Sequence, residues 1–240
     1  MRAIGEKPIV GRHIGENRIV GRYAGEEVVF LDYIAAGLLH RFDGINNEAT
    51  GVHNPAATTW TDLVTGVQAT MQNVAWQDFG VEFSQTTSKV FYSGQNVQEY
   101  TIFSTHKVAS LTGSHPRFFA ESPYPSLYLH SNNGYAYAFY GQGKDTFFSP
   151  RTTPPTGQLM QAAIRFGGTG VVELFLNGSY AGAITSVTAY PSPVSTMYIG
   201  SRAANDRALT GSIYEHLVYD RALSDAEIQH NFLVSKSRYQ

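Results

Sequence analysis

Between residues 124 and 137 the chain reads Tyr-Pro-Ser-Leu-Tyr-Leu-His-Ser-Asn-Asn-Gly-Tyr-Ala-Tyr, which gathers four tyrosines, a histidine and two asparagines into fourteen residues. Aromatic rings stack on the C–H faces of sugars, while amides, imidazoles and hydroxyls supply the orienting hydrogen bonds. Tyr124, Tyr128, His130, Asn132, Asn133 and Tyr135 are therefore the candidate glycan contacts. A plainer reading competes. Tyr128 and His130 alternate with Leu127 and Leu129, so one set must point inward. Asn132-Asn133-Gly134 then only tips a hairpin.

Signals for bond-breaking chemistry are weak. Glu82, Glu99 and Glu173 each stand alone in sequence, with no strand carrying several acids. Glycoside hydrolysis needs two carboxyl groups at a set separation, and only a pair drawn from separate strands could supply them. Gly113-Ser114-His115 lacks the remaining glycine of a nucleophile elbow. Gly141-Gln142-Gly143-Lys144-Asp145-Thr146 matches neither a phosphate loop nor a dinucleotide fingerprint. The eight histidines form no His-x-His or His-x-x-x-His pair, which disfavours zinc. Asp43-Gly44-Ile45-Asn46-Asn47-Glu48 offers clustered oxygens, so Asp43 and Asn46 are the calcium candidates, set against a turn that needs no ion. The expectation is a non-enzyme without a cofactor, calcium being the one left open.

Composition says what must position these residues. Of 240 residues only 15% are charged and 13% are aromatic. That balance suits pleated, half-buried surfaces and excludes disorder over the whole chain. The net charge of -2 argues against a nucleic-acid binder. Cysteine is absent, which excludes disulfides and a thiol nucleophile. The first 30 residues have no apolar stretch of secretory type, and Tyr33 to Leu39 is too short to span a bilayer. A soluble protein, made in a cytoplasm and not engaging membrane, is expected.

The N-terminus repeats. Ile4-Gly5-Glu6-Lys7-Pro8-Ile9-Val10-Gly11-Arg12-His13 is followed by Ile14-Gly15-Glu16-Asn17-Arg18-Ile19-Val20-Gly21-Arg22-Tyr23, and a decayed third copy starts at Ala24. Each decapeptide reads as a Gly-Glu turn and a short strand of the form Ile-Val-Gly-Arg. Residues 1–33 hold five positive and five negative charges, a far denser mixture than the rest. Short repeated strands leave edges that want a partner. Residues 1–33 are thus expected to be an assembly arm, with Ile4, Ile9, Val10, Arg12, Ile14, Ile19, Val20 and Arg22 as its working positions; an extra edge hairpin is the alternative.

From residue 38 onward short strands alternate with turns. They fall at Leu38–Phe42, Val81–Ser84, Tyr100–Thr105, Arg117–Glu121, Ser126–His130, Tyr135–Tyr140, Gln161–Phe166, Val171–Leu176, Thr196–Gly200 and Ser212–Tyr219. Asn177-Gly178 is a strong hairpin signal. Ser224-Asp225-Ala226-Glu227 is a capping box opening one helix, with Ile228, Phe232 and Val234 as its apolar stripe and an end near Lys236. Such a list implies an all-β sandwich or jelly roll.

Four segments carry a family resemblance, in order: Trp60-Thr61-Asp62-Leu63, Leu174-Phe175-Leu176-Asn177-Gly178, Met197-Tyr198-Ile199-Gly200-Ser201-Arg202, and Gly211-Ser212-Ile213-Tyr214-Glu215 through Tyr219-Asp220-Arg221-Ala222-Leu223-Ser224-Asp225-Ala226-Glu227-Ile228. Residues 38–239 resemble the laminin-G-like, concanavalin A-like jelly-roll domains of bacterial surface proteins and phage virion proteins. The resemblance implies a jelly-roll sandwich over 34–240, one short C-terminal helix and an N-terminal β-repeat arm. The arm joined to this domain resembles structural proteins of phages infecting bacteria with thick peptidoglycan. It implies a bacteriophage virion protein of capsid, neck, head fibre or tail, assembled in the host cytoplasm. Its implied partners are copies of itself, a trimer being expected, other virion proteins and a cell-surface polysaccharide. A carbohydrate-binding module of a bacterial surface protein is the alternative, and a glycoside hydrolase a more distant one.

Overall fold

The computed structural model of the chain describes residues 12–14, 17–19, 23–24, 27–28, 32–84, 87–94, 97–122, 126–141, 144–168, 170–185, 187, 196–204 and 207–239. In the arm, β1 (Arg12–Ile14) pairs antiparallel with β2 (Asn17–Ile19), and β3 (Tyr23–Ala24) with β4 (Glu27–Val28). Two short paired strands thus fall in each of these two stretches, where the sequence reading had one strand per unit. Arg12 and Ile14 lie in β1 and Ile19 in β2. Ile4, Ile9, Val10, Val20 and Arg22 fall outside the described residues.

Two antiparallel sheets follow. The first runs β15 (Lys144–Phe147), β14 (Ala136–Gly141), β13 (Ser126–His130), β12 (Arg117–Ser122), β19 (Thr196–Ile199), β10 (Lys89–Tyr92), β7 (Gln68–Gln72), β6 (Thr59–Thr61). The second runs β18 (Ser179–Thr185), β17 (Val171–Leu176), β16 (Leu159–Phe166), β11 (Tyr100–Val108), β20 (Gly211–Tyr219), β9 (Gly80–Phe83), β8 (Ala75–Gln77), with β5 (Leu38–Asp43) also on β20. The period-2 alternation of each strand sends one row of side chains between the sheets. Phe42, Trp60, Ile102, Leu127, Leu174 and Ile199 meet there, all fully buried.

The second sheet is apolar on both faces because α1 (Asp225–Tyr239) covers its outside. Leu174 faces the inter-sheet core while Phe175 joins Phe103, Leu217, Ile228 and Val234 beneath the helix. The helix lies on a face of the sandwich. The sequence reading had it ending near Lys236, and it runs on to Tyr239. Its buried stripe is Ile228, Asn231, Val234 and Ser235, with Phe232 only half-buried. Two buried positions are polar because they complete a hydrogen-bonded network beneath the helix.

The capping box is formed. The Ser224 N–H donates to Glu227 Oε2 at 2.8 Å, and the Glu227 N–H donates to Ser224 Oγ at 3.3 Å. Arg221 grips the same carboxylate with both terminal nitrogens, at 3.0 and 2.6 Å. That contact, first, holds the Glu227 carboxyl down to about 2.

One register shift changed which residues face inward. Strict alternation along β20 would group Ile213 with Glu215 and Leu217. Instead Thr105 sits opposite Glu215 and His106 opposite Ile213, so Tyr214 is a bulge. Ile213, His216 and Val218 then face the inter-sheet side, while Leu217 and Tyr219 face the helix.

Candidate functional site

Among the described residues no helix covers the outer face of the first sheet, and aromatic and basic side chains gather on it toward β12–β15. Arg117 opens β12 directly opposite Tyr128 of β13. Its guanidinium carbon lies 4.1 Å above the Tyr128 ring and 5.5 Å from the Tyr140 ring of β14. One terminal nitrogen donates to Ser126 Oγ at 2.8 Å, and that hydroxyl donates to the Phe119 carbonyl at 3.1 Å. Arg117 and Tyr128 are the floor, with exposures of 2% and 0%. Above them stand half-buried rings. His130 meets His115 at 4.3 Å between centroids and Phe147 of β15 at 4.8 Å. Arg151 lies 4.4 Å over Phe147. Further along the same sheet, Tyr198 of β19 and Phe91 of β10 pair at 5.8 Å.

Over the buried Arg117 and Tyr128, the half-buried rings of His115, His130, Tyr140 and Phe147 and the exposed Arg151 are what the surface presents. Flat aromatic faces bind sugar rings, and planar donors orient their hydroxyls. A stacked guanidinium is also held in one geometry, which lowers the entropy lost on binding.

The sequence-derived candidates divide between two roles. Tyr124 lies outside the described residues, as does the Asn133 side chain. Tyr128 is buried in the floor, and His130 stands half-buried in the wall of the face. Asn132 is exposed on the short 3₁₀ turn Ser131–Asn133 that joins β13 to β14. Tyr135, at φ +57, packs against the core edge and donates to the Gly113 carbonyl at 3.2 Å. The hairpin is thus real, and its tip residues are partly turn and packing. Sequence reasoning missed Arg117, His115, Tyr140, Phe147 and Arg151, which reach the same surface from other segments. The available signal was an arginine opening the otherwise apolar run Arg117-Phe118-Phe119-Ala120.

The calcium candidates are committed elsewhere. Asp43 is fully buried and accepts from Arg41 at 3.0 Å, Arg238, Tyr239 at 2.8 Å and the Ile45 N–H at 2.9 Å. Burial raises its pKa, but Arg238 and Arg41 overcome that and hold the carboxyl below its usual range. Asn46 Oδ1 accepts from the Gly51 N–H at 2.7 Å. The two do not converge as ligands, because Asp43 points beneath α1 toward two guanidinium groups. Among the described residues no group of three metal-ligating side chains exists.

Directly opposite Asp43 on the neighbouring strand lies Glu215, also fully buried. Its Oε2 accepts from Ser235 at 2.6 Å and Thr105 at 3.1 Å, and the Gln161 amide donates to Ser235 at 2.8 Å. Burial, then the charge of Asp43, raises the Glu215 pKa. This centre is sealed under the helix and serves packing. The Trp60-Thr61-Asp62-Leu63 motif is likewise structural. Asp62 accepts from His40 Nδ1 at 2.7 Å, the Arg41 N–H at 2.7 Å and the Val64 N–H at 3.1 Å, tying β5 to the turn after β6.

The isolated acids lie away from the aromatic face. Glu82 is on β9 and Glu173 on β17, both in the second sheet, and Glu173 accepts from Arg165 at 2.7 Å. Among the described residues no helix is long and apolar enough to cross a membrane.

Solved structures share this architecture. Trypanosoma rangeli sialidase is similar over 83% of the chain, at 16% identity and a TM-score of 0.63, and the chain spans 33% of its length. Domain 4 of AbnA, a GH43 extracellular arabinanase from Geobacillus stearothermophilus solved with arabinotriose, is similar over 81% of this chain and 97% of its own. That likeness has 17% identity and a TM-score of 0.60. At such identities the likeness shows a shared fold. No curated protein matches the chain. Residues 84–229 match the laminin-G family described as the concanavalin A-like lectin/glucanases superfamily. That match spans more than half the sequence and includes the last three of the four motif segments, so the chain belongs to the concanavalin A-like lectin/glucanases superfamily.

Proposed function

We propose that this chain is a non-catalytic glycan-binding jelly roll, displayed in many copies by its repeat arm on a bacteriophage virion. The observation that carries the binding reading is the outer face of the first sheet, where the half-buried His130, Tyr140 and Phe147 of three adjacent strands stand over a buried floor of Arg117 and Tyr128. A face of rings and donors binds sugars weakly, so display in many copies supplies the avidity that adsorption needs. Binding without cleavage is supported by the isolation of Glu82, Glu99 and Glu173 in sequence, with no strand carrying several acids. The virion setting is supported by the decapeptide arm.

A module of a bacterial surface protein is the second reading. It is favoured by the likeness to domain 4 of AbnA over nearly all of that domain. Two measurements test these readings. Calorimetry of the full chain against arabinotriose and a panel of neutral oligosaccharides should give binding that Phe147→Ala weakens at least tenfold. Absence of heat with every sugar would sink the binding reading. Mass spectrometry of purified particles from lysed host cultures should find the chain. Its presence in the cell-wall fraction alone would decide for the second reading.

A further inference from the structure

We propose that the glycan is a linear polysaccharide gripped along its length, which crosses the strands of the first sheet from Tyr140 to a second set of contacts on Tyr198, Phe91 and Thr70. The inference rests on the glycan-binding reading and deepens it by naming the class of ligand and the course it takes.

Strand register places these residues in one line. Tyr140 of β14 lies opposite Ser126 of β13, Ser126 opposite Ala120 of β12, and Ala120 opposite Tyr198 of β19. Tyr198 then lies opposite Phe91 of β10, and Phe91 opposite Thr70 of β7. Residues directly opposite on paired strands share a face. It is the outer face, because the preceding or following residue on each strand (Phe139, Leu127, Phe119, Ile199, Val90, Ala69) joins the inter-sheet core. Six adjacent strands thus contribute one position each to a line that runs across them.

The line carries rings at two places and small residues between. Tyr140 stands at one place and the Tyr198–Phe91 pair at the other, all half-buried. From Tyr140 to Tyr198 is three strand steps, about 14 Å, and from Tyr140 to Thr70 five, about 24 Å. Between the ring sets come only Ser126 and Ala120, 3% and 4% exposed. Ser126 accepts a hydrogen bond from the flat Arg117 guanidinium, so neither a ring nor a branched side chain of this line separates the two sets. One sugar unit advances a linear chain by roughly the spacing of one strand. The line is therefore several sugars long.

The far half has the groups that uncharged sugars need. Gln68, Thr70 and Gln72 alternate along β7 and are exposed, which sets neutral donors and acceptors in a file beside the Phe91 ring. The Lys89 ammonium lies 5.5 Å over that ring. No acidic residue occurs in β7, β10 or β19. Ring faces flanked by amides and hydroxyls suit the C–H faces and hydroxyls of neutral sugars. A lone terminal sugar engages one ring set. A chain that follows the line engages both, and it needs neither of its ends to do so.

Chain length is the testable property. Calorimetry on the full chain would use linear arabino-, xylo- and cello-oligosaccharides of three to eight units. The parent is compared with Phe147→Ala, Phe91→Ala and Thr70→Ala. For the sugar that binds, the parent's affinity should rise at least tenfold from the trisaccharide to the octasaccharide. Reducing the terminal aldehyde of the octasaccharide should not change its affinity. Phe91→Ala should cut the ratio of octasaccharide to trisaccharide affinity at least fivefold, whereas Phe147→Ala should weaken both lengths alike. Thr70→Ala, at an exposed position, should lower the same ratio with the circular dichroism of the sandwich unchanged. Affinity that is equal at every length overturns the inference, as does a parental ratio in both Phe91→Ala and Thr70→Ala. Trisaccharide binding weakened by Phe147→Ala would leave the glycan-binding reading standing in that case. Absence of binding at every length overturns both.

Discussion

The Tyr137 hydroxyl of the first sheet stands 3.3 Å from Nε2 of His106 on the second. A matching bridge joins Tyr92 to Nε2 of His216 at 3.2 Å. In each imidazole Nδ1–H donates to a strand carbonyl, that of Ser104 at 3.0 Å or Phe103 at 3.1 Å. Nε2 is then left as the acceptor for tyrosine, and both rings are neutral. The two sheets are thus pinned through their core by two neutral Tyr–His pairs.

Burial, first, lowers the pKa of His106 to about 4 and that of His216 to about 3. An unfolded histidine titrates near 6.5. The unfolded state therefore binds more protons below that pH, and stability falls as pH drops from about 6.5 toward 4. Each histidine contributes a slope approaching roughly 1.4 kcal/mol per pH unit inside that window. Urea midpoints measured from pH 7 to 4.5 should show the decline. His106→Gln should make it shallower, and a midpoint independent of pH would count against this account.

Ser224→Ala removes the reciprocal hydrogen bond that starts α1. The expected loss is about 1 kcal/mol, as for other N-caps. Chemical denaturation reads it directly. An unchanged midpoint would show that Arg221, which also holds Glu227, supports the helix start without Ser224.

Glu215 and Asp43 face each other across β20 and β5, and their pKa values are pushed apart. Glu215 is raised in the fold, so its contribution is full at low pH and is lost as pH rises through its folded pKa. Asp43 is lowered, so its contribution is full above about 3.9 and is lost as pH falls through its folded value. Glu215→Gln keeps an acceptor for Ser235 and Thr105 without the charge. It should leave stability at pH 5 nearly unchanged and raise it at pH 9 relative to the parent. A variant destabilised equally at both pH values would show that the charge of Glu215 is not what matters.

Phe147→Ala and His130→Ala trim the wall of the aromatic face without touching its floor. Both side chains are half-buried, so each should cost about 1 kcal/mol of stability or less. Adsorption to cells or polysaccharide should fall far more than stability does. Tyr135→Ala is a poorer probe, because Tyr135 packs on the core edge and bonds to Gly113. If both wall variants adsorb like the parent, the outer face is not the contact.

The strongly alternating strands were legible in sequence: Ser126–His130 and Val171–Leu176 fall where expected, and Asn177-Gly178 turns with both residues at positive φ. The capping box was legible too, since it needs only four neighbouring residues. The strands that escaped include Lys89–Tyr92, interior to the first sheet, and one toward the margin of each sheet. Gln68–Gln72 and Ala75–Gln77 are largely exposed and polar, and their hydrogen bonds come from neighbours rather than from their own pattern. The bulge at Tyr214 was invisible because a single extra residue leaves no compositional mark. Half of the aromatic face escaped for a related reason: Arg117 meets Tyr128 only through the register of β12 on β13, and no local spacing encodes that register.

The junction between arm and sandwich is tied from two sides. The Ile34 N–H donates to Asn231 of α1 at 3.0 Å, Tyr219 of β20 donates to the Ile34 carbonyl at 2.9 Å, and His230 reaches the Asp32 carbonyl at 2.8 Å. Tyr33 is buried beneath the helix between them. A pull along the arm therefore enters the fold at β20, an interior strand of the second sheet, and at a helix, instead of peeling an edge. The load is shared among several bonds strained together, so the sandwich resists unfolding when the chain is pulled from its N-terminal side.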